Sequence, residues 1–375
     1  MTAKAKPTCV LALQGGGALG AYQLGAYQAM AARGFEPDWF SGISIGAITA
    51  AILAGNAPAQ RAERLAQFWQ EISRPDFGGS TKDKALQRLR SEQSYAQALA
   101  LGQPNFFVPR LPSPLLAAPG PGATSFYDTA PLRATLERLA SFDQINANAG
   151  KTRLLLGAVD IATSALTVFD NAKTRIGPEH AMASGALPPG FPPVEIDGHC
   201  YWDGGCVANT PLDFVVDELP EGHSIIFVID LWQAAGPVPK TLNDVIWRQK
   251  QIQYSTRTAL QLDALVNRLK LRHAQNRLAS EEGDKRGRNA EADHIDLVHI
   301  SFHSADDQFA NSDVDFSRSG IEERRASGYR DMLAALDAEP WLAARHPSHA
   351  GARVHSVSKG RVVAAASPVQ NKRPG

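Results

Sequence analysis

Three short blocks of the chain carry residue types that could do chemistry together. The first is "GGGALG" (15–20), entered from the apolar run "CVLAL" (9–13). The second is "GISIG" (42–46), a G-x-S-x-G with Ser44 at its centre. The third is "DGG" (203–205), which sets Asp203 beside Gly204 and Gly205. A serine hydroxyl attacks a carbonyl well only when a neighbouring group takes its proton, and the oxyanion that forms needs N–H donors aimed at it. Ser44 supplies a hydroxyl, Asp203 a carboxylate, and the glycine run a set of uncovered backbone N–H groups. The chemistry that suits all three is acyl transfer.

Each block has a competing use. Gly15, Gly17 and Gly20 also fit G-x-G-x-x-G, the spacing of a dinucleotide-binding turn. Such a site wants an acidic residue at the end of the next strand to hold the ribose. Here the next apolar run leads straight into Ser44, and Asp38 stands before it. The same N–H physics then serves an oxyanion better than a pyrophosphate. D-G-G alone is often a plain turn. A second candidate base is Asp230, at the end of "SIIFVID" (224–230), with His299 or His303 downstream in the Ser–Asp–His order of an α/β-hydrolase. Spacing alone leaves Asp203 and Asp230 both open.

The elements that must position these residues follow from the pattern. "TCVLALQ" (8–14) reads as a buried strand stopped by glycine, and 18–33 as a helix. "DWFSGIS" (38–44) is a second short strand, and "IGAITAAILAG" (45–55) a helix of small residues. Ser44 therefore falls at a strand-to-helix turn, where a nucleophile elbow requires it. Gly42 and Gly46 leave room for a sharp turn, and the helix N-terminus faces the site. Further helices are expected over 58–72 and 129–140, and strands over 152–171 and 224–230. The segment 101–127 holds six prolines among apolar residues, which neither helix nor central strand tolerates. It reads as a flap. Beyond 240 the chain predicts one long helix or two (241–279), a solvated loop (281–289), a strand (294–302) and a closing helix (320–336). Alternation of strands and helices implies an α/β layered fold with a mostly parallel sheet.

Composition narrows the class. Lys plus Arg equal Asp plus Glu at 38 each, so no general case exists for nucleic acid. The N-terminal "MTAKAKPTCVLAL" shows no secretory pattern, and the most apolar stretch, 42–55, is too short to span a bilayer. Three cysteines, Cys9, Cys200 and Cys206, suit a reduced, cytoplasmic setting without disulfides. Cys200, Cys206 and His199 fit no common zinc spacing, and no metal or other cofactor is expected.

Taken together, the three blocks in this order resemble the patatin-like phospholipases, over roughly residues 8 to 235. "ASGALPPGFPPVEIDGHCYWDGGCVANTPL" (183–212) is similar to the family's segment around its catalytic aspartate. The resemblance implies a three-layer α/β/α patatin-like fold with a mainly helical C-terminal extension. It also implies a serine hydrolase acting on lipid acyl esters, as a phospholipase A, lysophospholipase or esterase, through a Ser–Asp dyad without histidine. Ser44 becomes the nucleophile, Asp203 the general base, and the backbone of Gly15, Gly16 and Gly17 the oxyanion hole. The motif glycines are Gly20, Gly42, Gly46, Gly204 and Gly205. Many members place Arg or Lys in the glycine loop where this chain has Ala18 and Leu19, which weakens any inference of a phosphate-bearing substrate. A different storage or polymeric ester, or a non-catalytic scaffold, are the alternatives.

The organisation expected is an N-terminal arm (1–7), a catalytic domain (8–235) carrying the insert 101–127, a mainly helical extension (236–340), and a disordered basic tail (341–375). The long helix holds seven Lys or Arg against two Asp over 241–280, with Val245, Ile252, Leu260 and Leu269 recurring along it. Together with Phe106, Phe107, Leu115 and Leu116 of the flap, it suggests reversible association with an anionic membrane surface, peripheral to the inner membrane. Oligomeric state is not legible.

Overall fold

The computed structural model describes residues 6–76, 84–281, 294–303, 311–344 and 351–363. The first apolar run forms β1 (Thr8–Leu13) and stops at the glycines. A 3-10 turn, Gly17–Gly20, leads into α1 (Ala21–Ala32). β2 (Trp39–Ile43) hands the chain to α2 (Ile45–Ala54), every residue of which is buried, as its small apolar composition allows. α3 (Pro58–Glu71) starts on a proline, whose missing N–H has no partner to lose at that position. α4 (Lys84–Leu101), which the sequence reading did not single out, precedes the proline-rich segment. That segment forms only 3-10 turns and a two-residue pairing of β3 (Val108–Pro109) with β4 (Tyr127–Asp128).

α5 (Ala130–Leu139), α6 (Phe142–Ala147), β5 (Arg153–Asp160), β6 (Leu166–Asp170) and α7 (Pro178–Ser184) follow. β7 (Val194–Ile196), β8 (His199–Asp203), α8 (Leu212–Val216) and β9 (His223–Asp230) complete the region of the three motifs. Beyond it lie α9 (Leu242–Glu281), β10 (His294–Ser301), α10 (Arg318–Ala338), β11 (Ala352–Ser358) and β12 (Arg361–Val363). Of residues 241–279, read as one helix or two, all but Thr241 fall in the single helix α9. The loop expected after it lies, from residue 282 on, outside the described residues.

One ten-stranded sheet runs β12-β11-β10-β9-β1-β2-β5-β8-β7, with β6 on β5. The six central strands, β11 through β5, are parallel; β12, β8, β7 and β6 pair antiparallel at the margins. Alternation along β1 sends Cys9, Leu11 and Leu13 to one core and Val10 and Ala12 to another. The first core also holds residues of α1, α2, α3 and α10, the second those of α8 and α9. The protein is thus a three-layer α/β/α fold around a mostly parallel sheet, with a helix-rich C-terminal region.

That region also adds strands to the sheet. β10 pairs with β9 along its whole length, and Tyr22 of α1 donates its hydroxyl proton to Asp331 of α10 at 2.8 Å. One expectation needs correction. Residues 341–375 do not form a disordered tail throughout, because 352–363 make β11 and β12. Their basic residues misled: Arg353 and His355 turn inward and bond the buried Asp296.

Candidate active site

β5 acts as a ruler for the site. β6 occupies one edge of it, from Leu155 to Val159. β2 and β8 must share the other edge, and they abut there: Ile43 registers with Gly157, and Asp203 with Ala158. Ser44 is the residue after Ile43, so two strand ends bring serine and aspartate together. Ser44 has φ 57°, ψ −127°, a conformation that L residues avoid, and its backbone N–H is held by the carbonyl and hydroxyl oxygens of Ser184 at 3.1 and 3.0 Å. The neighbouring glycines are required by space. A Cβ on Gly42 would overlap the backbone of Gly46, and one on Gly46 the carbonyl of Leu13.

Asp203 is fully buried, lies near enough to the Ser44 side chain for that group to favour its ionised form, and accepts a hydrogen bond at 2.7 Å from the backbone N–H of Gly205. Burial pushes its carboxyl up to about 7, against the opposing pull of Ser44 and the Gly205 N–H. A carboxylate in that state can take a proton near neutral pH, as a general base must. Gly204 lies tight against the carbonyl of Gly157, so D-G-G lets the turn close onto β5.

Gly15, Gly16 and Gly17 line the same cavity as Ser44 and Asp203. Of the three N–H groups expected from the sequence to face an oxyanion, that of Gly15 is already bonded, to the carbonyl of Asn209 at 3.2 Å. Those of Gly16 and Gly17 have no acceptor among the described residues. Gly17 sits at φ +54°, with the backbone carbonyl of Asp313 where a Cβ would be. Gly20 does not line the cavity; it lets the turn pack on Ile45 and Trp69.

The cavity holds about 310 Å³. Its walls are largely apolar, with rings from Phe106 and Phe107 of the proline-rich segment, Tyr127, Phe191 and Phe316. Phe107 lies 4.9 Å from Tyr127 and 5.1 Å from Phe191, ring centre to ring centre. The flap expected from the sequence therefore divides. Its aromatic half is buried in the wall, whereas Leu111, Leu115 and Leu116 are 89%, 80% and 85% exposed. Lys250 of α9 is the one cation lining the cavity among the described residues, paired with Asp313 at 2.8 Å.

The alternative triad is not assembled at Ser44. Asp230 does pair with His299, Oδ2 to Nε2 at 2.9 Å, but neither they nor His303 line the cavity. His299 belongs to β10 and its carboxylate partner to the end of β9, and together they bind adjacent strands. All three cysteines are free, and His199 faces Asp160 at 2.8 Å. Among the described residues, His223, His294 and Asp296 form a group compact enough to share an ion. They sit at the opposite end of the parallel strands from Ser44. Asp296 is already bonded by His223 at 2.9 Å, by His355 at 2.9 Å and by Arg353 at 2.8 Å, so its charge is matched inside the sheet.

Several residues of the site carry no motif. Gln14, wholly buried, accepts the Leu231 N–H and donates to Thr210 and to Thr258 of α9. Asn209 and Trp232 both donate to the Gly15 carbonyl, at 2.9 and 2.8 Å. Arg257 of α9 donates to the carbonyls of Gly205 and Cys206. The only sequence signal for these was polar residues inside otherwise buried stretches. Most of the partners are distant along the chain. The basic character of α9 is likewise spent internally at several points. Arg268 pairs with Asp217 at 3.0 Å, and Leu262, Leu265 and Leu269 are buried against the sheet, while Val245, Ile252 and Leu260 stay exposed.

Comparison with known proteins bears on what this geometry is for. The sequence model of a family described as patatin-like phospholipase matches residues 11–216, more than half of the 375 residues. A second, described as patatin phospholipase, matches 252–348. No curated protein matches. Among solved structures, VipD from Legionella pneumophila is similar at 14% identity and a TM-score of 0.39, covering 93% of this chain and 71% of that one. The type III effector protein ExoU is similar at 14% identity and a TM-score of 0.35, covering 89% of this chain and 53% of that one. The chain thus spans about half the length of ExoU. Among the described residues no helix is long and apolar enough to cross a membrane.

Proposed function

The chain belongs to the patatin-like phospholipase family, a family of lipid hydrolases, and on that premise we propose that it cleaves lipid acyl esters through a Ser44–Asp203 dyad. The observation that carries this reading is the abutment of β2 and β8 on one edge of β5, which brings Ser44 to a buried Asp203 whose carboxyl is raised to about 7. In the first half-reaction Asp203 takes the Ser44 proton while Oγ bonds the ester carbon. The resulting oxyanion is received by the N–H groups of Gly16 and Gly17, each worth about 3 kcal/mol in a comparable enzyme. Asp203 then returns the proton to the departing alcohol, leaving an acyl-serine. Water, deprotonated by Asp203, releases the acid and restores the hydroxyl.

The substrate follows from the walls. Rings from four segments of chain enclose space for a hydrocarbon chain and offer few polar partners, which suits the acyl half of a phospholipid, lysophospholipid or similar ester. The exposed leucines on the segment that supplies Phe106 and Phe107 would enter the surface of a lipid aggregate and bring the cavity to its substrate. A fluorophosphonate probe tests the core of the reading. It should label the wild type at Ser44 and spare Ser44→Ala, and the wild type should hydrolyse p-nitrophenyl esters and phospholipids. A folded wild type that neither labels nor hydrolyses any of them would overturn the proposal.

A further inference from the structure

We propose that α9 is a working part of the catalytic centre and that Arg257 is the positioning residue through which it holds Asp203. The inference rests on the acyl-hydrolase reading and extends it to the C-terminal region. Lys250, Tyr254, Arg257, Thr258 and Gln261 recur at the three- and four-residue intervals that share one face of a helix. The first four reach the cavity or the loops around it, and Gln261 reaches α8. Lys250 and Tyr254 line the cavity, and the Tyr254 ring lies 4.7 Å from that of Trp232, which holds the glycine loop through the Gly15 carbonyl. Thr258 bonds Thr210 at 2.8 Å and Gln14 at 2.7 Å, so it ties together the ends of β1 and of the D-G-G loop. Gln261 donates to Asp213 at 3.1 Å.

Arg257 acts nearest to the chemistry. Asp203 caps the 3-10 turn Gly204–Cys206, and its Oδ1 accepts the Gly205 N–H. Nη1 of Arg257 donates to the other side of that peptide chain, to the Gly205 carbonyl at 3.0 Å and the Cys206 carbonyl at 3.3 Å. The same glycine is therefore gripped at both of its backbone polar groups, one by the catalytic carboxylate and one by the guanidinium. Removing the guanidinium frees the carbonyl end and loosens the turn. Asp203 then loses part of a bond that favours its ionised form, and must ionise at higher pH. The other titratable groups about this carboxylate are Tyr254, Cys206, Lys250 and Asp313; the Arg257 charge pulls Tyr254 and Cys206 down against burial, so its loss raises both further and leaves them neutral on the acidic limb.

The test compares the full chain with Arg257→Met and Arg257→Lys on a small soluble p-nitrophenyl ester across pH 5 to 9, with fluorophosphonate labelling of each. Arg257→Met should lower kcat about tenfold or more while KM moves less than about twofold, because the cavity walls are untouched. Its acidic limb should shift upward by about half a unit or more. Arg257→Lys, with one donor head in place of a fork, should fall between the two. Should Arg257→Met not fold, Arg257→Gln carries the same expectation. A variant that loses activity only in proportion to its folded fraction, with the acidic limb unmoved, overturns the inference. A wild type that does not label at Ser44 overturns the hydrolase reading, and this one with it.

Discussion

Ile43 and Asp203 register against consecutive residues of β5, Gly157 and Ala158, on the same edge of that strand. Ser44 and Asp203 are therefore placed by sheet geometry rather than by two independent loops. A strand register is hard to slip where one face is buried, since a one-residue shift would turn every side chain to the other face. The pairing explains how residues about 160 positions apart are brought to one end of the sheet.

From this follows the first expectation. Ser44→Ala and Asp203→Asn should each lower ester hydrolysis by about a thousandfold or more, and the double variant should lose little beyond either, because the two act as one unit. His299→Ala should keep near-normal turnover, since its ring serves Asp230 and not Ser44. Steady-state kinetics of the four variants on one ester decides the matter. Near-full activity in Asp203→Asn together with a loss in His299→Ala would show the dyad to be wrong.

Asp203 also makes a pH statement of definite sign. Its carboxyl is raised to about 7 in the fold, against about 3.9 in an unfolded chain. Catalysis needs the ionised form, so kcat/KM should fall about tenfold per unit below pH 7. Stability runs the other way. Between the two values the folded chain still holds a proton that the unfolded chain has released, so the fold loses stability as pH rises from about 4 to 7, by on the order of 4 kcal/mol in all. Asp203→Asn removes that loss. Its melting temperature relative to wild type should climb across this window and level off above it. A difference that stays flat from pH 4 to 8 would contradict the raised carboxyl.

How much of this was legible beforehand depends on range along the chain. β1, β2 and the elbow at Ser44 are local: short apolar runs end at glycines, and a helix of small residues follows. Asp203 was one of two candidate acids by spacing, and only the resemblance chose it. What could not be read was carried by contacts between distant residues. Gln14 meets Thr258 across 244 positions, and the role of Gln14 exists only once β1, β9 and α9 are side by side. β11 was hidden for a related reason. Arg353 and His355 look like solvated tail residues until Asp296 of β10 lies opposite them.

The glycine loop gives a sharper test than a general loss of function. Gly17→Ala should abolish turnover, because φ +54° disfavours any side chain and the Asp313 carbonyl fills the space a Cβ would need. Gly34→Ala is the control. It shares a positive φ, +65°, but faces open space. It should lower stability by about 1 kcal/mol and leave kcat alone. Thermal melts and ester kinetics on both variants separate the effects. Normal turnover in a folded Gly17→Ala would remove this loop from the mechanism.

The exposed leucines bear on how the proposed hydrolase would meet a lipid aggregate. Leu115 and Leu116 are exposed on the same segment whose Phe106 and Phe107 wall the cavity. The cations of α9 contribute less than their number suggests. Lys250 and Arg268 are paired to Asp313 and Asp217, and Arg257 is bonded to the D-G-G turn. Membrane attachment should accordingly be driven by apolar insertion, with a small electrostatic part that salt screens. Leu115→Ser with Leu116→Ser should weaken co-sedimentation with phospholipid vesicles severalfold and slow hydrolysis of vesicle lipid, while hydrolysis of a soluble short-chain ester continues unchanged. Raising salt should weaken binding to anionic vesicles only slightly. Vesicle binding that collapses with salt but ignores the leucine substitutions would place the attachment on the basic residues of α9 instead. Equal losses on the soluble and the vesicle substrate would show that the leucines support the cavity rather than the interface.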